Sequence, residues 1–165
     1  LLFPETYALM DEIEARFELR LTRLHPDLNV DQQAVQFGPA LWEREPDQCC
    51  AMRKTAPLDQ VLGRYPAWIT GLRRDQSEAR GQTPIISWDR KHGNIKLAPL
   101  ATWTESMVWT YIHAYELPYN TLHDQNYPSI GCYPCTHAVA PEGDKRSGRW
   151  VGHLKTECGI HVQNN

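Results

Sequence analysis

The sequence predicts an α/β fold with a mostly parallel sheet. Three observations carry this reading. Segments with helical periodicity alternate with short extended segments along the chain. The extended stretch Ala67-Trp68-Ile69-Thr70 reads as a buried strand. The length of 165 residues suits one domain able to bury its own core. Residues 1–165 are therefore expected to form a single domain.

The elements follow in order. Leu1-Leu2-Phe3 resembles the end of a buried strand, and Pro4 suits a first helical turn. Tyr7, Met10, Ile13, Glu14 and Phe17 predict a helix over 5–17. Leu19, Leu21 and Leu24 alternate with polar residues and predict a strand over 18–24, broken at His25-Pro26. Asp31 is the expected cap of a short helix ending at Phe37, before Gly38. Short helical pieces are expected from Pro39 to Glu45 and from Pro46 past Cys49, Cys50, Arg53 and Lys54, with helix again from Pro57 to Arg64. Residues 71–81 read as an arginine-rich polar loop. Residues 85–88 and 95–97 read as paired strands around Gly93-Asn94. Thr102 and Glu105 form an expected capping box for a helix to about Tyr115, ended by Leu117-Pro118. The remainder is rich in glycine and proline and reads as loop.

Charge separates the function classes. The net charge is −3, which argues against general nucleic-acid binding. Residues 1–50 hold ten acids and four bases, while residues 51–165 hold thirteen bases and ten acids. An anionic ligand is thus expected to meet the second part. No apolar run reaches the length of a membrane-spanning helix, so no membrane partner is expected. The opening residues lead into an amphipathic stretch, not a signal peptide.

Five cysteines organise the chemistry. Cys132 and Cys135 form a C-x-x-C behind Gly131, Cys49 and Cys50 are adjacent, and Cys158 stands alone near the end. Four soft thiolates suit zinc or an iron–sulfur cluster. Adjacent cysteines leave a helix about 100° apart, which is awkward for one tetrahedral ion. A four-iron cluster offers each its own iron. On spacing alone, buried structural thiols remain an alternative. The six tryptophans and His25, His92, His113 and His123 are read as packing.

The motifs Cys49-Cys50-x-x-Arg53-Lys54, Thr70-Gly71-x-Arg73-Arg74-Asp75-Gln76-Ser77, Ile130-Gly131-Cys132-x-Pro134-Cys135-Thr136, Arg146-x-Gly148-Arg149-Trp150 and Glu157-Cys158-Gly159-x-His161 occur in that order. Together they closely resemble the assimilatory adenylyl-sulfate (APS) reductases of the PAPS/APS reductase family, from about Leu2 to His161. The resemblance implies an adenine-nucleotide α-hydrolase-like (PP-loop) fold whose first strand and S-G-G-x-D-S phosphate loop are absent from this chain. The chain then reads as the C-terminal portion of such a domain, with residues 145–165 a mobile catalytic tail. The implied activity is reduction of APS to sulfite and AMP in sulfate assimilation, in the cytoplasm. The implied reductant is thioredoxin or glutaredoxin; no glutaredoxin-like extension follows Asn165, which favours separate thioredoxin.

By the same resemblance, Cys158 is the nucleophile, and Cys49, Cys50, Cys132 and Cys135 hold a [4Fe-4S] cluster. Arg80, Arg146 and Arg149 contact the phosphosulfate, with Arg73 and Arg74 as alternative matches for Arg80. Lys54 links the cluster to the substrate. His161 belongs to the substrate site and, with Lys155, lies near the nucleophile in sequence. Leu2 and Phe3 lie near the adenine or serve as core strand residues. Two other readings stay open: a PAPS reductase, and a non-catalytic metal-stabilised binding module. Oligomeric state is left open, homo-oligomers included.

Overall fold

The structure is a computed structural model that describes residues 1–161. It divides into two compact units. The first gathers Leu1–Pro57 with the described residues from Pro118 onward, and the second is Leu58–Leu117.

In the first unit, helix α1 (Pro4–Phe17) starts at the expected proline and stops at Glu18, whose φ of 51° is left-handed. The expected strand over 18–24 does not form. Leu19, Leu21 and Leu24 are exposed, and no strand among the described residues lies beside them. Alternation describes how a strand would bury itself; it cannot supply a pairing partner. The backbone is satisfied by α1 instead. Leu19 N–H donates to the Glu14 carbonyl and Leu21 N–H to Glu14 Oε1 at 2.8 Å. Arg23 spans Asp11 and Glu14 at 2.6 and 3.1 Å.

Helix α2 (Val30–Phe37) is capped by Asn29, not by Asp31. Asn29 Oδ1 accepts from Gln32 N–H, and Gln32 Oε1 accepts from Asn29 N–H, so the box closes in both directions. Helices α3 (Leu41–Arg44) and α4 (Pro46–Cys50) follow. After Cys50 the helix widens into a π turn, Ala51–Thr55, before resuming as α5 (Ala56–Leu62). Single π turns inside α-helices recur at functional sites, because they re-aim the side chains around them.

The second unit holds strands β1 (Ala67–Ile69), β2 (Ile86–Asp89) and β3 (Asn94–Leu97), in the order β1-β3-β2. β1 runs parallel to β3, while β2 pairs antiparallel with it. The α/β class stands, but the sheet is small and mixed where a mostly parallel one was expected. The reason is local. Asp89, with its side chain accepting from Lys91 and His92 N–H groups, and Gly93 at φ 66° close a tight hairpin. Asn94, expected in the turn, is the first residue of β3. It is buried and donates to the Leu62 and Tyr65 carbonyls.

The register puts Ala67, Ile69, Ile86, Trp88, Ile95 and Leu97 on one face, where Ile69, Ile86 and Trp88 are more than 60% exposed. The other face holds Trp68, Lys96, Asp89 and Asn94. Lys96 is buried with its ammonium 4.9 Å from the Trp68 ring centre. Helix α6 (Glu105–Ala114) is capped by Thr104, which accepts from Met107 N–H; the expected Thr102–Glu105 box is displaced because Glu105 N–H donates to Asp75 Oδ2.

His92, read from sequence as packing, is the hub of this unit. Its Nδ1 lies 2.7 Å from Asp89 Oδ2 and its Nε2 lies 2.8 Å from Asp59 Oδ1. A ring between two carboxylates donates from both nitrogens, so it is an imidazolium. Burial alone would lower the His92 pKa, but the bonds to Asp89 and Asp59 outweigh it and the net shift is upward. Burial would likewise raise both aspartates, yet Lys91 and His92 hold Asp59 down, and His92 and Trp68 hold Asp89 down.

The signs set a window. The histidine's contribution is whole below its unfolded value of 6.5 and is lost as pH rises through the higher folded value. The aspartates' contribution is whole above 3.8 and is lost as pH falls through their lower folded values. Stability should therefore plateau between these limits and decline on either side of them. His92→Gln is expected to cost roughly 1.5–3 kcal/mol near pH 5.5 and progressively less at alkaline pH. Urea titrations of both proteins across that range check it; a difference that does not shrink with pH contradicts the paired imidazolium.

Candidate active site

All four cysteines of the two pairs line one recess of the first unit. Leu1, Trp42, Pro46, Arg53, Lys54 and Trp150 complete it. Three local structures bring the thiols there. Helix α4 delivers Cys49 and Cys50, both 6% exposed. The π turn carries Arg53 and Lys54 to the same wall. A 3₁₀ turn, Tyr133–Cys135, presents Cys132 and Cys135, with Pro134 inside it. That turn is anchored by a bridge between Leu2 and Cys132, by Tyr133 N–H on the Leu1 carbonyl at 2.9 Å, and by Thr136 Oγ1 on the Cys132 carbonyl.

The cysteines are free thiols. Burial first, and then the neighbouring thiols, push Cys135 up to about 11. Burial also raises Cys49 and Cys50, the first further by Cys50, the second despite Lys54. Thiols held this way stay protonated near neutral pH unless a cationic centre lies among them. Among the described residues, no three Cys, His, Asp or Glu side chains gather around a single ion-sized point. The thiols are instead spread around the recess. Two further features fit a sulfur-rich occupant: Trp42 Nε1 and Trp150 Nε1 are buried with no hydrogen-bond partner among the described residues. The donor set thus fits a cubane cluster held by four thiolates.

Arg146 and Arg149 meet at Ser129, a residue the motifs did not single out for a role. Ser129 Oγ accepts from Arg149 Nη1 at 3.1 Å and lies 3.5 Å from Arg146 Nη1. Two guanidiniums converging on one hydroxyl make a place for anionic oxygens. Arg149 is half-buried, and burial followed by Arg146 lowers its pKa. It also stacks 4.4 Å from the Trp150 ring centre, and an isolated bridge from Arg149 to Thr136 fixes its backbone. Gly131 makes room for it: a Cβ there would stand 2.6 Å from Arg149 Cζ. Gly148 has no room for a side chain against the His137 carbonyl and Val139, and His137 N–H donates to its carbonyl.

The segment bearing Cys158 folds against this arginine pair. Arg146 Nη2 donates to the Thr156 carbonyl at 2.6 Å and lies 3.4 Å from Glu157 Oε2. Cys158, half-buried, is within electrostatic reach of both Arg149 and Cys50. Gly159, at φ 89°, passes Thr55 at the end of the π turn. Lys155 lies close enough to influence Cys50 electrostatically. It ion-pairs with Asp47 of α4 and sits over the Trp150 ring, so it pins the segment to the helix bearing Cys49 and Cys50.

The remaining predicted residues are placed as follows. His161 is half-buried at the end of the described chain. Leu2 bridges Cys132, and the Phe3 ring packs edge-on against Tyr127 and Tyr133. Arg80 belongs to the second unit, where its Nη1 donates to Gln76 Oε1 at 2.7 Å. Of its alternatives, Arg73 pairs with Asp75 and Arg74 donates to the Thr83 carbonyl.

Known proteins share this arrangement's sequence. The profile of the phosphoadenosine phosphosulfate reductase domain matches residues 1–138. The chain belongs to this family. A Salinibacter ruber relative named adenosine 5'-phosphosulfate reductase is 51% identical over 163 residues, covering 98% of this chain and 65% of its own length. A relative of the same name from Staphylococcus haemolyticus is 51% identical over 161 residues, with 97% and 66% covered. A Gloeobacter violaceus relative at 52% identity over 163 residues, with 97% and 68% covered, is named phosphoadenosine 5'-phosphosulfate reductase. The crystal structure of phosphoadenylyl-sulfate reductase from Candida auris, in a phosphate complex, superposes with a TM-score of 0.70 at 30% identity, covering 84% of this chain and 66% of the other. The chain spans about two thirds of the length of the curated relatives it matches. No helix among the described residues is long and apolar enough to cross a membrane.

Proposed function

We propose that the protein reduces adenylyl sulfate to sulfite and AMP, with Cys158 as nucleophile and a [4Fe-4S] cluster on Cys49, Cys50, Cys132 and Cys135. The observation that carries it is the gathering of four thiols, two arginines and Cys158 in one unit.

The chemistry follows from the residues. Arg146 and Arg149 hold the anionic oxygens of the phosphosulfate, with Ser129 between them. The Cys158 thiolate attacks the sulfate sulfur, the S–O bond to phosphate breaks, and AMP leaves with that electron pair. The product is an S-sulfo-cysteine. A thiol of thioredoxin or glutaredoxin attacks Cys158 Sγ; sulfite leaves with the S–S electron pair, and a second thiol of the reductant closes its own disulfide. The dithiol loses two electrons and sulfur gains them. When bound, the cluster supplies positive charge that keeps its four ligands ionised. Lys54 lines the same recess and would carry positive charge between the cluster and the substrate.

The segment from residue 145 is the part that carries Cys158 between substrate and reductant. Leu2, Phe3 and His161, all of the first unit, complete the substrate site in this reading. The small sheet is part of a PP-loop fold, whose remainder covers the apolar face of Ile69, Ile86 and Trp88. A soluble cytoplasmic setting goes with a thioredoxin partner. A second reading, phosphoadenylyl-sulfate reduction, is favoured by the name of the Gloeobacter relative.

The test uses full-length protein purified without oxygen. About four irons and four sulfides per chain, and a sulfonate adduct on Cys158 after mixing with APS but no dithiol, are expected. Adduct formation with PAPS alone supports the second reading, and no adduct with either sinks both. Gly131→Ala tests the arginine site separately. Its methyl group displaces the Arg149 guanidinium, so KM for the nucleotide should rise roughly ten- to a hundredfold with iron content unchanged.

A further inference from the structure

Helix α2 buries one side chain, and it is a glutamine. Gln33 is 2% exposed. An amide so deeply placed must have its polar atoms satisfied, or an apolar residue would serve the fold better. Its partners are unusual. Arg53 Nη1 donates to Gln33 Oε1 at 3.2 Å while also donating to the Leu28 carbonyl at 3.3 Å. A guanidinium can only donate, so the amide oxygen must face Arg53. The NH₂ group must then face the other way, and there it meets Cys49 Sγ at 4.0 Å. Chemistry, not choice of amide flip, fixes this orientation.

We propose that Gln33 is a positioning residue for the cluster, donating a side-chain N–H to the Cys49 ligand sulfur. The proposal rests on the cluster reading above. Arg53 aims the amide, and the amide delivers a neutral donor to a ligand that lies 6% exposed. A hydrogen bond to ligand sulfur withdraws electron density from the thiolate. It makes the cluster easier to reduce and harder to oxidise. An amide does this without adding a charge to the buried wall. Leucine or methionine would fill the same space and leave the sulfur bare.

The experiment compares full-length holoprotein with Gln33→Met, which keeps the volume and removes the donor. Resonance Raman spectra of the oxidised cluster are recorded in H₂O and after exchange into D₂O. Fe–S stretching bands of the parent should move on deuteration, and Gln33→Met should lose part of that movement. Its midpoint potential should fall, and its visible absorbance should bleach several-fold faster in air. Parent-like deuterium shift, potential and bleaching in Gln33→Met overturn the proposal, as does a parent spectrum insensitive to deuterium. Iron lost from a variant whose circular dichroism matches the parent, and whose melting matches the chelated parent, supports it. If Gln33→Met does not fold, Gln33→Glu repeats the comparison at equal size; its carboxylate faces Arg53 and offers the sulfur no N–H, so the same shifts are expected. A parent lacking iron and sulfide sinks the cluster reading itself, a separate result.

Discussion

Cys158→Ser is expected to abolish reduction of adenylyl sulfate by the full-length protein, by roughly 10⁴-fold or more, as loss of a nucleophile does elsewhere. A serine hydroxyl at this position is not ionised at neutral pH, and an O-sulfo-serine could not be released by thiol attack at the protein atom. The substitution should leave the cluster spectrum intact, because Cys158 does not line the recess of the other four cysteines. Binding of the nucleotide should also persist, since Arg146 and Arg149 are held by Ser129 and backbone carbonyls independently of the thiol. Steady-state sulfite release, equilibrium nucleotide binding and the visible spectrum together check this. Turnover near the parent's would remove Cys158 from the chemistry and leave a metal-stabilised binding module.

Cys135→Ser is expected to empty the cluster site. The Cys135 thiol, pushed up to about 11 by burial and by Cys132, Cys50 and Cys49, stays protonated near neutral pH unless a metal centre displaces the proton. Serine is a harder, less acidic ligand and does not replace it. Most of the iron and sulfide should be lost, and with it the visible absorbance. The consequence should reach the fold. The 3₁₀ turn at Tyr133–Cys135 joins the recess to Leu1 and Leu2 through main-chain bonds, and to Trp150, whose N–H donates to the Cys135 carbonyl. A lower melting temperature is therefore expected, with chelators producing the same change in the parent. Because ligation releases protons, reloading of the parent should slow as the medium is acidified. Full iron content in Cys135→Ser would show that the site is not what the four thiols make it.

Residue identity alone determined a great deal here. Five cysteines in a fixed order, two arginines three apart and a glycine before the C-x-x-C specify which atoms can bind sulfur, iron or oxyanions, whatever the backbone does. Helix α1, the helical stretch bearing Cys49 and Cys50, and the strand around Trp68 were legible because their periodicity or prolines act within a few residues. Other features depended on partners distant in sequence. The leucines of 18–24 alternate like a strand but found no neighbour, and Glu14 took their backbone instead. The π turn at Ala51–Thr55 leaves no local signature, since any helical sequence of that kind can gain one residue per turn if side-chain placement rewards it. Ser129, Gln33 and Trp42 have ordinary sequence contexts; only burial beside an arginine or a thiol gives them a task. His92 looked like packing because its two carboxylates lie 3 and 33 residues away. Side-chain chemistry is written residue by residue, whereas burial and pairing are properties of the whole folded chain, and only the tertiary structure decides them.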